Sequence, residues 1–342
     1  MGFLLFSPIF IYQGSKVIKE LTFEIIEKNY KNKQFITDFS KTKYIYSDFI
    51  TYKNEEYKSE SINIDKFGNR LTIQSKNLNN KSPYYIFFGP SIIWGDGESD
   101  SKTIPSIFSQ KNKVYTENKA VNGYVSRQSL AKLNNYYIYN SFLSKKRVII
   151  FNDGAIDFYT SKDNDKVLKT AHTERIKEDL KTEYLEFNLL IKPISYFLRK
   201  FKNKFYSKKE ETEKLTNEKI EFIANTIVEA WKIANSIVES NGDSFFAVLT
   251  PFSYEDSLNV PLNGVYITKE QKEAIKKGYE LIRKKIKRYP NIKFIDLSKI
   301  FKNNEKAYLD PMHYSYEGKI IFVEKLTNEI KKFKDINEKV FD

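Results

Sequence analysis

Five short runs rich in β-branched and aromatic residues constrain this chain more than any other feature. They occupy residues 84–88 (YYIFF), a weaker 113–120, 147–151 (RVIIF), 245–249 (FFAVL) and 293–297 (KFIDL), each followed by turn or helix signals. Mostly apolar runs of this length read as strands buried on both faces. Helical patterns fall between most of them, at 104–109, 126–141, 217–239 and 269–288. A last one, at 316–333, sets Ile320, Val323, Leu326 and Ile330 on one side. Such alternation predicts an α/β fold, a three-layer doubly wound sheet of about five parallel strands. Pro105, two residues after the N-cap candidate Thr103, fits the first turn of the helix it opens.

Two regions stand outside the alternation. Residues 1–80 read as an N-terminal extension with short strands near 44–52 and 61–73, and residues 160–216 as a helical insertion within the α/β domain 81–342. Residues 1–15 carry no charge before Lys16, yet Pro8 interrupts them and a bilayer span takes about 20 apolar residues. No basic segment opens them as it would a signal peptide. They read either as a buried N-terminal segment or as the remnant of a membrane anchor. Residues 187–209 mix Leu, Ile, Phe and Tyr with many lysines. Two readings stay open there: an ordinary surface helix pair, or a basic amphipathic cover for an anionic membrane or an active site.

Composition removes several classes of function. Of 342 residues 41% are hydrophobic, enough for a sizeable core and against wholesale disorder. Lysine plus arginine number 57 against 44 aspartates and glutamates, a net charge of +13. The surplus favours anionic partners in general; it reads here as a solvated lysine-rich surface, with no specific nucleic acid expected. There is no cysteine, which removes disulfides, thiolate nucleophiles and Cys-held metals. Only His172 and His313 can supply an imidazole, so no multi-histidine metal site is expected. No dinucleotide, phosphate-loop or zinc-protease pattern occurs, and no cofactor is expected.

What remains is serine chemistry. Ser91 follows the first strand in Gly89-Pro90-Ser91, at the edge where open α/β sheets place their ligands. A serine hydroxyl is a poor nucleophile without a base within hydrogen-bond reach. His313, just ahead of the last helix, is the histidine in a suggestive setting. Asp310, three residues earlier in a turn, can reach its Nδ1, fix the tautomer and leave Nε2 free for the serine proton. His172, in the lysine-rich insertion, reads as a surface residue. Trp94 and Tyr314 read as pocket-lining residues, with core packing the alternative.

Taken in order, these residues resemble the blocks of the SGNH (GDSL-type) hydrolase family from about Tyr84 onward. Gly89-Pro90-Ser91 matches the nucleophile block, Asn122-Gly123 the glycine block after the second strand, and Asp310 with His313 the closing Asp-x-x-His. The runs 94–97 (WGDG), 103–105 (TIP), 64–70 (IDKFGNR) and 249–251 (LTP) are similar to SGNH proteins from bacterial surface-polysaccharide loci. The third block departs from the family's Gly-x-Asn-Asp, whose asparagine joins the oxyanion hole. The preferred register, Gly154-Ala155-Ile156-Asp157, puts Ile156 where that amide belongs; a slip to Asn152-Asp153 recovers it by shortening the strand. Losing one oxyanion donor lowers a rate by about two to three orders of magnitude. Either the hole is incomplete, or Asn122 or Asn152 rebuilds it.

The resemblance implies an SGNH/flavodoxin-like fold and a serine esterase acting on O-acetyl or other small acyl esters of a bacterial surface glycan. It makes Ser91 the nucleophile, His313 the base and Asp310 the residue that orients it, with the N–H groups of Ser91 and Gly123 in the oxyanion hole. Two alternatives stay open: an O-acyltransferase of the same glycans, and a non-catalytic glycan-binding or accessory module suggested by Ile156. A bacterial membrane or cell-envelope setting goes with these readings, the cytoplasm being the alternative.

Overall fold

The computed structural model describes residues 32–333 other than 141–143, 162–169, 171, 174–175, 178–179, 181–214, 256–257, 259, 261–264 and 266. The readings placed on 1–15 and 187–209, and on most of the insertion 160–216, lie outside the described residues.

The chain begins with α1 (Lys33–Phe39), an antiparallel hairpin of β1 (Tyr44–Ser47) and β2 (Thr51–Asn54), and a short pair, β3 (Tyr57–Lys58) and β4 (Asn63–Ile64). Strands and helices then alternate: β5 (Tyr84–Phe88), α2 (Ser91–Trp94), α3 (Ile104–Asn112), β6 (Thr116–Asn118), α4 (Ser126–Asn140) and β7 (Arg147–Asp153). They continue through α5 (Ala155–Thr160), α6 (Asn217–Ser240), β8 (Ser244–Leu249), α7 (Lys269–Ile286), β9 (Lys293–Asp296) and α8 (Tyr316–Lys332). The last five strands pair in parallel in the order β6-β5-β7-β8-β9. Counted by appearance this is 2-1-3-4-5, the flavodoxin-like order, whose ligand crevice opens between the first and third strands. Here those strands are β5 and β7.

Successive strand side chains point to opposite faces, and both faces are covered. Tyr85 and Phe87 of β5, Val148 and Ile150 of β7, and Phe246 and Val248 of β8 pack into one core with α3 and α8. Ile86, Phe88, Ile149, Phe151, Phe245, Ala247 and Leu249 pack into the other with α4, α6 and α7. Each fully buried Val, Leu, Ile or Phe contributes about 1.5–3 kcal/mol, so two layers this dense hold the sheet edge rigid. The doubly wound three-layer sheet expected from the sequence is the observed architecture.

Boundaries moved where side chains competed. The helix predicted over 104–109 runs on to Asn112 and stops at Lys113, which takes the left-handed conformation (φ +55); the strand expected at 113–120 is cut to three residues. Thr103 caps that helix by accepting from the Ser106 N–H, with Pro105 in its first turn. Ile320 is exposed, against expectation, whereas Val323, Leu326 and Ile330 are buried together with Phe322. The inward position goes instead to Lys319, whose ammonium donates to the Asp96 carbonyl.

The N-terminal segment packs on the α/β layers through aromatic and apolar contacts among others. Phe35 of α1 meets Trp94 edge-on, and Phe39 meets it at a tilt. The hairpin brings Ile50 and Tyr52 against Val121, Tyr124 and Ile176. His172, exposed as expected, stacks on Tyr44 with ring centroids 4.6 Å apart. Among the described residues no helix is long and apolar enough to cross a membrane.

Candidate active site

Ser91 opens α2 immediately after Gly89 and Pro90 leave the end of β5. Gly89 is required there: a Cβ at this position would sit 2.7 Å from the Asn152 carbonyl oxygen, and φ is +150. The helix lasts one turn. Gly95 stops it in the left-handed conformation (φ +105), and the N–H groups of Gly95 and Asp96 both return to the Ser91 carbonyl, at 2.8 and 3.0 Å. The serine therefore stands half-exposed on a tight, doubly tied turn.

His313 comes from a second turn, closed by the Leu309 N–H donating to the His313 carbonyl (2.8 Å). Asp310 is fully buried within it; its Oδ1 accepts from the backbone N–H groups of Met312 and His313, at 2.8 and 2.9 Å. Its Oδ2 lies 2.6 Å from His313 Nδ1, and His313 Nε2 lies 2.7 Å from Ser91 Oγ. The loop after β8 steadies the turn: Tyr314 donates to the Pro251 carbonyl (2.9 Å), and the Ser253 N–H to that of Pro311 (3.2 Å). Ser315, not Asp310, caps α8, by accepting from the Gly318 N–H. Ser91, His313 and Asp310 are thus brought into one hydrogen-bonded line from opposite ends of the chain.

The remaining predicted residues divide. Gly123 has φ +76, and among the described residues no group accepts from its N–H or from that of Ser91. Asn122 is buried with neither atom of its amide hydrogen-bonded, while its carbonyl accepts from the Tyr52 hydroxyl at 2.9 Å. Asn152, buried in β7 beside Gly89, gives one amide hydrogen to the Phe88 carbonyl (3.2 Å). Ile156 lies inside α5 and has no polar side-chain atom to offer. The next residue, Asp157, accepts from the N–H and hydroxyl of Ser126 at the start of α4. Strand β7 runs through Asn152 and Asp153, two residues beyond the expected end, so Asn152 stands at the strand edge without any shortening. Trp94 and Tyr314 are fully buried and pack in the core.

Three charged residues that the motifs left unassigned complete the surroundings. Arg70 is buried and spends all five of its N–H donors: on Asp100 Oδ1 (2.8 Å) and the carbonyls of Trp94 (3.2 Å), Gly95 (2.8 Å), Ser61 (3.2 Å) and Glu98 (2.6 Å). Lys319 is fully buried, and burial pulls its ammonium down to about 8. Asp96, half-buried, sets its Oδ2 3.6 Å from His313 Nε2. Burial pushes the Asp96 carboxyl up, against the pull of His313. Burial would lower the His313 imidazolium, but the charge and hydrogen bond of Asp310, with Asp96 behind them, raise it to about 9. A signal for Asp96 existed in the Trp-Gly-Asp-Gly run, which names a position without saying that it faces the imidazole.

Among the described residues no group of three or more His, Cys, Asp or Glu could hold a metal ion. The arrangement can deprotonate a serine hydroxyl and return the proton to a leaving group.

No protein-family model matches the sequence, and no curated protein matches it. The chain is similar in structure to a lipolytic protein of the G-D-S-L family from Veillonella parvula, at 13% identity and a TM-score of 0.46, over 73% of this chain and 99% of that one. It is similar also to a GDSL-like lipase from Bacteroides thetaiotaomicron, at 14% identity and a TM-score of 0.42, over 75% and 91% of the two chains. An acetyl xylan esterase matches at 13% identity and a TM-score of 0.42, over 72% and 99%.

Proposed function

We propose that this chain is a serine ester hydrolase of SGNH type, acting on small O-acyl esters through Ser91, His313 and Asp310. What carries the proposal is the unbroken line from Ser91 Oγ to His313 Nε2 (2.7 Å) and from Nδ1 to Asp310 Oδ2 (2.6 Å). Ser91 Oγ attacks the ester carbonyl carbon as its proton passes to Nε2, and the carbonyl π pair moves onto oxygen. The N–H groups of Ser91 and Gly123, with the amides of Asn122 and Asn152, are the proposed donors to that developing charge. Collapse of the tetrahedral adduct expels the alkoxide, which takes the proton from Nε2. Water then repeats the sequence on the acyl-serine, releasing the acid and restoring Ser91. The O-acetyl groups of a bacterial surface glycan are the proposed substrate, a choice supported by the ordered motif resemblance. The binding-module alternative drew on Ile156, and catalysis as drawn here asks nothing of that side chain.

Labelling by a fluorophosphonate probe tests the proposal, since it needs nucleophile, base and oxyanion hole together. The parent protein should label covalently and hydrolyse an activated acetyl ester, and Ser91→Ala should do neither. Equal labelling of the two proteins, or none in the parent, would overturn it.

A further inference from the structure

We propose that Asp96 is a second carboxylate partner of the His313 imidazole, a positioning residue that holds the imidazolium formed when Ser91 gives up its proton. The imidazole of a serine hydrolase needs one carboxylate, on its Nδ1 side, and Asp310 fills that place. Asp96 stands on the other side. Its Oδ2 is 3.6 Å from the same Nε2 that meets Ser91 Oγ, within ion-pair reach of the ring once Nε2 carries a proton.

The position of Asp96 is built rather than incidental. Its N–H is tied to the Ser91 carbonyl at 3.0 Å, and its own carbonyl accepts from buried Lys319 at 3.1 Å. The Asp96 backbone, from which the carboxylate projects, is therefore fixed to the turn carrying Ser91 on one side and to α8 on the other. Four groups face the imidazole: Asp310 from its own turn, Ser91 and Asp96 from the turn after β5, and Lys319 from α8. The two carboxylates favour the charged ring and Lys319 disfavours it, while His313, Lys319 and Arg70 pull the Asp96 carboxyl down against the upward push of burial.

Two consequences oppose each other. While Ser91 is being deprotonated, Asp96 steadies the positive ring and favours the step. In the resting protein the same carboxylate keeps the ring protonated to higher pH, which delays release of the base as pH rises. The first consequence rests on the hydrolase reading above; the second does not.

With only two histidines in the chain, NMR titration of the imidazole C–H signals reads His313 directly, and His172→Gln identifies which signal is which. The His313 midpoint should lie near 9 in the parent, fall by roughly one pH unit in Asp96→Asn, and stay near the parent value in Asp96→Glu. Lys319→Met should move it the other way, upward, a reading that survives if Asp96→Asn fails to fold. The ascending limb of the pH–rate profile on an acetyl ester should follow these midpoints, with kcat at its plateau lowered in Asp96→Asn and KM unchanged. A His313 midpoint that ignores both Asp96→Asn and Lys319→Met overturns the proposal. Failure to turn over any ester would instead remove the hydrolase reading, leaving the NMR titration to decide the pairing.

Discussion

Arg70 lies over Trp94, its guanidinium carbon 4.3 Å from the ring centroid, and donates to the carbonyls of both Trp94 and Gly95. Those carbonyls end the one-turn helix that begins with Ser91. The position of Ser91 is thus held from a segment that precedes the sheet in sequence. Replacing Arg70 by Met leaves Asp100 buried without its cation and takes one donor from each of those carbonyls, leaving Asn118 on Trp94 and the Glu98 N–H on Gly95. Removing one partner of a buried ion pair costs about 3–5 kcal/mol. Arg70→Met is expected to lower the unfolding free energy by about that amount in a denaturant titration. Arg70→Lys should restore little of it, because an ammonium has three donors and no planar fork.

Asp310→Asn should spare the fold and abolish most of the rate. An asparagine can still accept from the Met312 and His313 backbone N–H groups, but it offers an NH2 where Nδ1–H needs an acceptor. The imidazole then turns to the tautomer with its hydrogen on Nε2 and cannot take the Ser91 proton. A loss of about four orders of magnitude in kcat is expected, with an unchanged circular dichroism spectrum; a loss under tenfold would remove Asp310 from the proposed chemistry.

The oxyanion donors can be separated by substitution. Asn122→Ala and Asn152→Ala are each expected to lower kcat by about 10²–10³ with KM little changed. Ile156→Asn should add nothing, because residue 156 lies in α5 rather than at the strand edge. Rate gained in Ile156→Asn, or normal rates in both alanine variants, would relocate the hole.

Asp153 and Asp157 predict an opposite kind of pH effect. Burial, with Asp157 nearby, pushes the Asp153 carboxyl well up, and burial raises that of Asp157 to about 6. A carboxyl whose folded pKa is raised binds its proton more tightly in the fold than in the unfolded chain. Stability is therefore lost as pH climbs from the ordinary carboxylate range through the raised value, at about 1.4 kcal/mol per pH unit of displacement. Asp153→Asn keeps an acceptor for the Trp231 N–H, 2.7 Å away in the parent, and drops one titrating group. Melting curves between pH 4 and 7 should show the parent falling relative to the variant; parallel curves would contradict the assignment.

The sheet was legible because its signal is local. Residues 84–88, 147–151 and 245–249 are apolar on both faces, and each forms a central strand. Ser91, Asp310 and His313 were legible by spacing and order, which survive without knowledge of contacts. Ile320 misled because helical periodicity cannot say that a lysine will take the inward position; Lys319 does so only since the Asp96 carbonyl waits for it. Arg70 and Asp96 were hidden for the same reason: their partners are backbone carbonyls and an imidazole from distant segments, which no residue pattern announces. The register of the third block turned on where β7 ends, and a strand end depends on its neighbours, here Val248 and Leu249 of β8 opposite Asn152 and Asp153.

Ser91 and His313 are separated by 222 positions, and α8 supplies the ammonium tied to the turn that carries Ser91. A ribosome adding roughly 5–20 residues per second leaves an interval on the order of 11–44 s between the serine and the histidine. Throughout that interval the nascent polypeptide carries a hydroxyl that nothing can activate. The proposed reactivity therefore waits until residue 313 has emerged and folded against the edge of β5.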